Sequence, residues 1–264
     1  MRNVVTTTAT DDYLLVICNP GRIVSNMDWR RSIIGWVLLC AAAEMLGIAL
    51  AAGWWLAADS LNPEPRTVLA RFAMLELKAL AGLVEGLVLG VAQAWWLKAR
   101  YPALPVTGWA MLTTALAVAG WGIGSSFSIF SASGAATPPP AAALDLPMVA
   151  VLAATIGALL GGLFGLVQWI ALRQAAARAH WWIIANAAGW ALAMPCVYLA
   201  ASVDGASPVG TALLALAGGA GAGLMLGAIT AIALRAMPPR TMRSGEPKRP
   251  IRPRRSTAAR AALQ

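Results

Sequence analysis

Residues 82–98, GLVEGLVLGVAQAWWLK, set three glycines four residues apart, Gly82, Gly86 and Gly90, followed by Gln93, Leu97 and Lys98. The same register returns as Gly157, Gly161, Gly165, Gln168, Leu172 and Arg173, and again as Gly219, Gly223, Gly227, Thr230, Leu234 and Arg235. The shared pattern is G-x-x-x-G-x-x-x-G-x-x-[QT]-x-x-x-L-[KR]. At ~100° per residue, the glycine, polar and leucine positions of this pattern fall within about 80° of helical arc. They form one face. A bare glycine face lets a second backbone come close. Van der Waals contact and Cα–H···O bonds then supply the attraction that the hydrophobic effect does not provide between helices in lipid. Gln93, Gln168 and Thr230 are expected to hydrogen-bond across that contact. Nothing in such a face is catalytic.

The chain around these triplets is 59% hydrophobic and 12% charged, where a soluble domain carries about a quarter charged residues. Six apolar stretches follow one another at 32–56, 77–97, 107–130, 148–172, 181–202 and 209–234, each near the ~20 residues a bilayer requires. In hydrocarbon each must satisfy its own backbone hydrogen bonds, which a helix does and an isolated strand does not. The alternation of a membrane β-barrel is absent. The three stretches without a glycine triplet each carry a Gly-Trp pair, Gly35-Trp36, Gly120-Trp121 and Gly189-Trp190. The chain is therefore expected to be an all-α membrane protein of six transmembrane helices, built as three tandem parallel two-helix hairpin repeats at about 29–100, 107–173 and 181–235.

Basic residues give the orientation. Arg30 and Arg31 precede the first span, Lys98 and Arg100 follow the second, Arg173 and Arg178 follow the fourth, and Arg235 follows the sixth. The opposite loops hold Asp59, Glu64, Asp145 and Asp204. The positive-inside rule then puts both termini on the cytoplasmic side of the membrane. Residues 1–28 form an N-terminal cytoplasmic segment unlike the rest, and Met27 opens MDWRRSIIGW, a second candidate start. Residues 237–264 form a basic Pro/Arg-rich tail, which cannot bury a core and is expected to be disordered and to touch anionic lipid. The tail has no aromatic residues between its arginines, so the stacking platform of a single-strand nucleic-acid binder is missing and no nucleic-acid partner is expected.

Two acids lie inside the spans. Glu44 comes 13 residues after Arg31 and Glu85 13 residues before Lys98, so each sits about 20 Å from the basic edge at ~1.5 Å per residue. They belong to neighbouring helices at matching depth. A carboxylate there is costly unless protonated, paired or wetted, and intramembrane acids commonly mark function. Leu160 and Ala222 occupy the positions equivalent to Glu85, so the feature is particular to the first hairpin. Asn186, in the fifth span, is expected to join helices rather than bind a ligand.

Enzymatic readings lack parts. The serines of GIGSSFS, 122–128, have no histidine or aspartate placed to activate them. His180, the single histidine, lies outside the spans, and Cys18, Cys40 and Cys196 form no C-x-x-C pair. No phosphate- or dinucleotide-binding motif is present, so no catalytic residue, metal or cofactor is expected.

The runs AGLVEGLVLGVAQAWWLKARYP (81–102), GGLFGLVQWIALRQAAARAHWWIIANAAGWAL (161–192) and GLMLGAITAIALR (223–235) resemble a group of bacterial polytopic membrane proteins. That group repeats E-G-x-x-x-G-x-x-Q, Q-W-x-x-L-R and W-x-x-x-N-x-x-G-W-A-L blocks. The likeness spans about residues 29–236 and implies fold and location but no activity. Ala94 followed by Trp95-Trp96 departs from it, where the second copy has Gln168-Trp169. The expected function is that of a non-catalytic accessory or interaction subunit, with a membrane-protein partner or a second copy of the chain on its glycine faces. The alternative is a small proton-linked or solute transporter using Glu44 and Glu85.

Overall fold

The computed structural model describes residues 26–61, 65–131, 145–203 and 207–240. The N-terminal segment before Asn26 and the basic tail beyond Arg240 lie outside them. Seven helices and no strand occur among the described residues: α1 Asn26–Leu61, α2 Val68–Ala79, α3 Ala81–Arg100, α4 Val106–Ser131, α5 Leu146–Ala175, α6 Trp181–Ala201 and α7 Pro208–Ala236.

Their starts are written locally. The Asp145 carboxylate accepts from the Met148 amide at 3.0 Å, and the Ser207 hydroxyl from the Gly210 amide at 3.1 Å. Both caps are followed by a proline in the first turn, where a missing N–H costs nothing. Five helices are long and apolar enough to cross a membrane, namely α1, α4, α5, α6 and α7. The 20-residue α3 is more polar, because it carries Glu85, Gln93, Lys98 and Arg100.

The expected span at 77–97 is not one helix. Leu80 caps α2, and α3 restarts at Ala81. Helix α2 packs outside the bundle against α4. Its Lys78 bonds Asp59 of α1 at 2.6 Å and lies 4.1 Å from the centre of the Trp55 ring. Pairing this cation beside α1 favours ending the helix there rather than carrying the ammonium into an apolar span.

The other six helices form a closed ring in the order α1, α3, α4, α5, α6, α7 and back to α1. Contact is sparsest between α4 and α5. The outward surface is apolar, with Leu46, Leu87, Leu159, Leu213 and Ile232 exposed. This is what lipid as the outer solvent requires.

The glycines set the close approaches. A Cβ on Gly86 of α3 would stand 2.6 Å from the Thr114 Cα of α4. One on Gly161 of α5 would stand 2.5 Å from the Asn186 carbonyl of α6, and one on Gly219 of α7 would stand 2.6 Å from the Glu44 carbonyl of α1. Real Cβ atoms do not approach backbone that closely, so only glycine fits. Each triplet helix thus lies against the helix that follows it in the ring, and the last of them closes onto α1.

At the end of the bundle that carries Arg100, Arg173 and Arg235, hereafter the basic end, the chain is tied together. The Tyr101 hydroxyl donates to the Met237 carbonyl at 2.7 Å and an Arg100 Nη donates to the Leu234 carbonyl at 2.8 Å. The Arg240 amide donates to Ala175 at 2.9 Å. Arginines at the carbonyl ends of helices also complement the helix dipole.

Candidate functional site

Along the bundle axis the interior changes from aromatic, through polar, to open. Nearest the basic end lie Trp36 of α1, Trp109 of α4 and Trp182 of α6, all fully buried. The Trp109 and Trp182 rings are 5.5 Å apart and the Trp36 and Trp182 rings 6.1 Å apart, both edge-on. Three indoles from three helices close this end, an arrangement whose geometry suits aromatic pairs.

These tryptophans are equally spaced, since 109 − 36 and 182 − 109 both equal 73. Their Gly-Trp partners differ from the expected ones. Trp121 and Trp190 lie farther from the basic end, and Trp109 and Trp182 stand beside Trp36 instead. Gly108 precedes Trp109, whereas the second Trp of a pair, Trp181, precedes Trp182.

The polar residues of the triplet helices meet this layer. The Trp36 indole N–H donates to the Thr230 hydroxyl at 2.9 Å, and the Trp182 indole N–H to the Gln168 Oε1 at 2.9 Å. Gln168 Nε2 donates onward to the Thr113 hydroxyl at 2.8 Å, so this side chain links α4, α5 and α6. Gln93 is held less well. Its Nε2 reaches Cys40 Sγ at 4.0 Å, while its Oε1 and the Trp109 indole N–H are both buried without a partner. The expected cross-helix bonding thus occurs at Gln168 and Thr230 and is weak at Gln93. Asn186 donates to the Trp182 carbonyl of its own helix at 2.9 Å and joins no second helix through that bond.

A stability difference follows. Gln168→Leu strands the Trp182 N–H, a loss of about 1–3 kcal/mol. Gln93→Leu removes only a long sulfur contact and is expected to cost well under half as much. Thermal unfolding of the two purified variants checks this, and equal losses would contradict the bonding pattern.

Deeper, α1 and α3 bring the two acids together. A Cβ on Gly47, one turn past Glu44, would lie 3.2 Å from both the Cα and the Cγ of Glu85. The surroundings of the two acids differ. Glu85 accepts a hydrogen bond from the Trp121 indole N–H of α4. Glu44 is fully buried, and neither of its oxygens has a hydrogen-bond partner.

Beyond the acids, toward the far end, the ring encloses a cavity of about 590 Å³. Glu85, Trp55, Trp121, Phe164, Trp190 and Tyr198 line it, with Gly120 and Gly124 presenting open space on α4. Glu44 is not on its wall; Ile48, one turn on, is. Leu56 of α1, Ile123 of α4 and Val203 beyond α6 line the cavity while about half exposed, so it is open to the surface toward the far end. The sequence marked Glu85 but not the cavity, because the wall is made by the spacing of helices rather than by any motif.

No family model, curated protein or solved structure matches the chain.

Proposed function

We propose that this is a non-enzymatic solute-binding protein of the bacterial inner membrane that takes a small, largely apolar molecule into its intramembrane cavity and anchors it at Glu85, as a transporter does. The observation that carries the reading is a carboxyl group on the wall of a largely apolar cavity of about 590 Å³. That size lies within the range of small-molecule sites, and such sites pair apolar walls with a few placed polar groups. An intramembrane acid facing a cavity is a functional feature by default. The expectation of a purely accessory subunit rested on low polar content, and the cavity shifts the balance to the transport alternative.

In this reading the bundle is three tandem hairpins, α1 with α3, α4 with α5, and α6 with α7. The 73-residue tryptophan spacing and the matching contacts of Gly86, Gly161 and Gly223 support the repeat. Gly223, like the other two, would drive a Cβ into backbone, 2.6 Å from the Ala41 Cα. The likeness to the bacterial group with repeated Q-W-x-x-L-R blocks belongs to the same proposal. Both termini face the cytoplasm, the basic end lies on that side, and the cavity opens toward the outer half. The basic tail lies on anionic lipid.

Topology is checked by reporter fusions. Those after residues 100, 178 and 264 should report cytoplasm, and those near 60, 140 and 205 the outside. One reversed pair breaks the three-hairpin arrangement. The cavity is checked with Gly124→Cys in a background lacking Cys196. A polar thiol reagent added from outside is expected to label it, and a reagent confined to the cytoplasm is not. If no reagent labels the new thiol, polar or membrane-permeant, the cavity reading fails.

A further inference from the structure

Among the described residues the cavity wall holds one acid and no lysine or arginine. The nearest cation on α2, Lys78, is committed to Asp59 at 2.6 Å, so that pair is neutral by itself. Glu85 accepts from a neutral indole N–H, and Glu44 behind it has no partner for either oxygen. Two acids therefore stand at the inner end of an apolar pocket among the described residues, with no basic side chain on its wall. An apolar site with an uncompensated carboxyl favours a ligand that brings the opposite charge.

The walls suit such a charge. Trp55 and Trp121 lie 5.5 Å apart, and Trp121 is the residue bonded to Glu85. One face of Trp55 is already taken by the Lys78 ammonium, 4.1 Å from the ring centre, which leaves Trp121 as the free indole beside Glu85. The indole face is the strongest of the aromatic partners for a cation, more so when water is excluded. Phe164, Trp190 and Tyr198 complete an aromatic wall that can receive the apolar part of the same molecule. Only one carboxyl reaches the wall, since Glu44 lies beneath it. One positive charge therefore satisfies the ligand-facing acid.

Resting on the cavity reading above, we propose that the ligand class is a lipophilic organic monocation, an amine or onium centre carried on aromatic or aliphatic groups, with its charge held beside Glu85 and Trp121. A lipophilic anion of the same shape would be disfavoured beside Glu85, and a neutral isostere would keep the apolar contacts but lose the charge.

The test uses the full chain in lipid nanodiscs and three probes: tetraphenylphosphonium, its anionic isostere tetraphenylborate, and the smaller, uncharged triphenylphosphine oxide as the neutral probe. Equilibrium dialysis against empty nanodiscs removes partition into lipid. The native protein is expected to bind the phosphonium at least tenfold more tightly than the neutral probe and the borate not at all. Glu85→Gln should erase the preference between cation and neutral probe, and Glu85→Asp should keep it. The native protein's own ranking decides the matter even if Glu85→Gln does not fold. Equal binding of cation and neutral probe, or binding of the borate, would overturn the cation class while leaving the cavity reading intact. Failure of all three probes to bind would overturn the cavity reading itself.

Discussion

Gly161→Leu is expected to unfold the bundle at far lower temperature than the native protein, with a loss at or above the ~3 kcal/mol upper end usual for overpacking. The reason is local. A Cβ at this position would stand 2.5 Å from the Asn186 carbonyl and 2.6 Å from the Trp190 Cβ. One neighbour is backbone and the other is the root of a large side chain, so neither can swing aside. The α5–α6 contact must open instead. Opening it pulls the Trp182 indole away from Gln168, which also ties α4 to α5. In lipid the separated helices regain no hydrophobic energy, so the lost packing is not offset. Gly53→Leu is the control. Gly53 also lies in a helix, yet nothing stands within 4 Å of its Cβ position. It should change stability by no more than about 0.5 kcal/mol, as exposed substitutions do. Thermal unfolding in one detergent compares the two, and similar midpoints would show that the triplet register is not a packing device.

The same register shows how far the fold could be read from the chain. The glycine triplets and basic flanks were visible as letters, because a helix converts a fixed spacing into a fixed face. They marked which faces pack tightly and which ends are basic. They did not give the partner of each face, since a bare face accepts any backbone. That each triplet meets the next helix, and that α7 closes onto α1, came from the structure. The break at Leu80 was hidden because Glu76 and Lys78 before it are no helix stop by themselves; the Lys78–Asp59 pair, which holds the end of α2 beside α1, is a product of the fold. Glu44 and Glu85 stood out as charges in apolar runs. Their different roles did not, because a hydrogen bond to Trp121 and a cavity wall are both products of helix placement.

Glu44→Leu is expected to make the protein more stable and worse at its task. Glu44 is fully buried, and neither carboxyl oxygen finds a donor. The neighbouring core layer is apolar, with Ala43, Leu89, Trp190, Ala222 and Leu226. A buried polar group left without its bonds costs about 1–3 kcal/mol, and a charged one more. Leucine has nearly the same bulk and brings no such cost, so the variant should gain about 1–3 kcal/mol, as when buried charged groups are replaced by apolar ones of like volume. A chain that keeps an acid at that cost is using it. Glu44 stands directly behind Glu85 at the inner end of the cavity, so its loss should weaken binding of a lipophilic cation several-fold while leaving a neutral probe unaffected. The measurements are the unfolding midpoint and the tetraphenylphosphonium affinity of the same preparation. A drop in stability would make Glu44 a structural member of the α1 interface. A gain in stability with unchanged cation affinity would remove it from the binding site and leave Glu85 to act alone. The combination of higher stability and weaker binding is the signature of a residue held in place by function, at the expense of the fold.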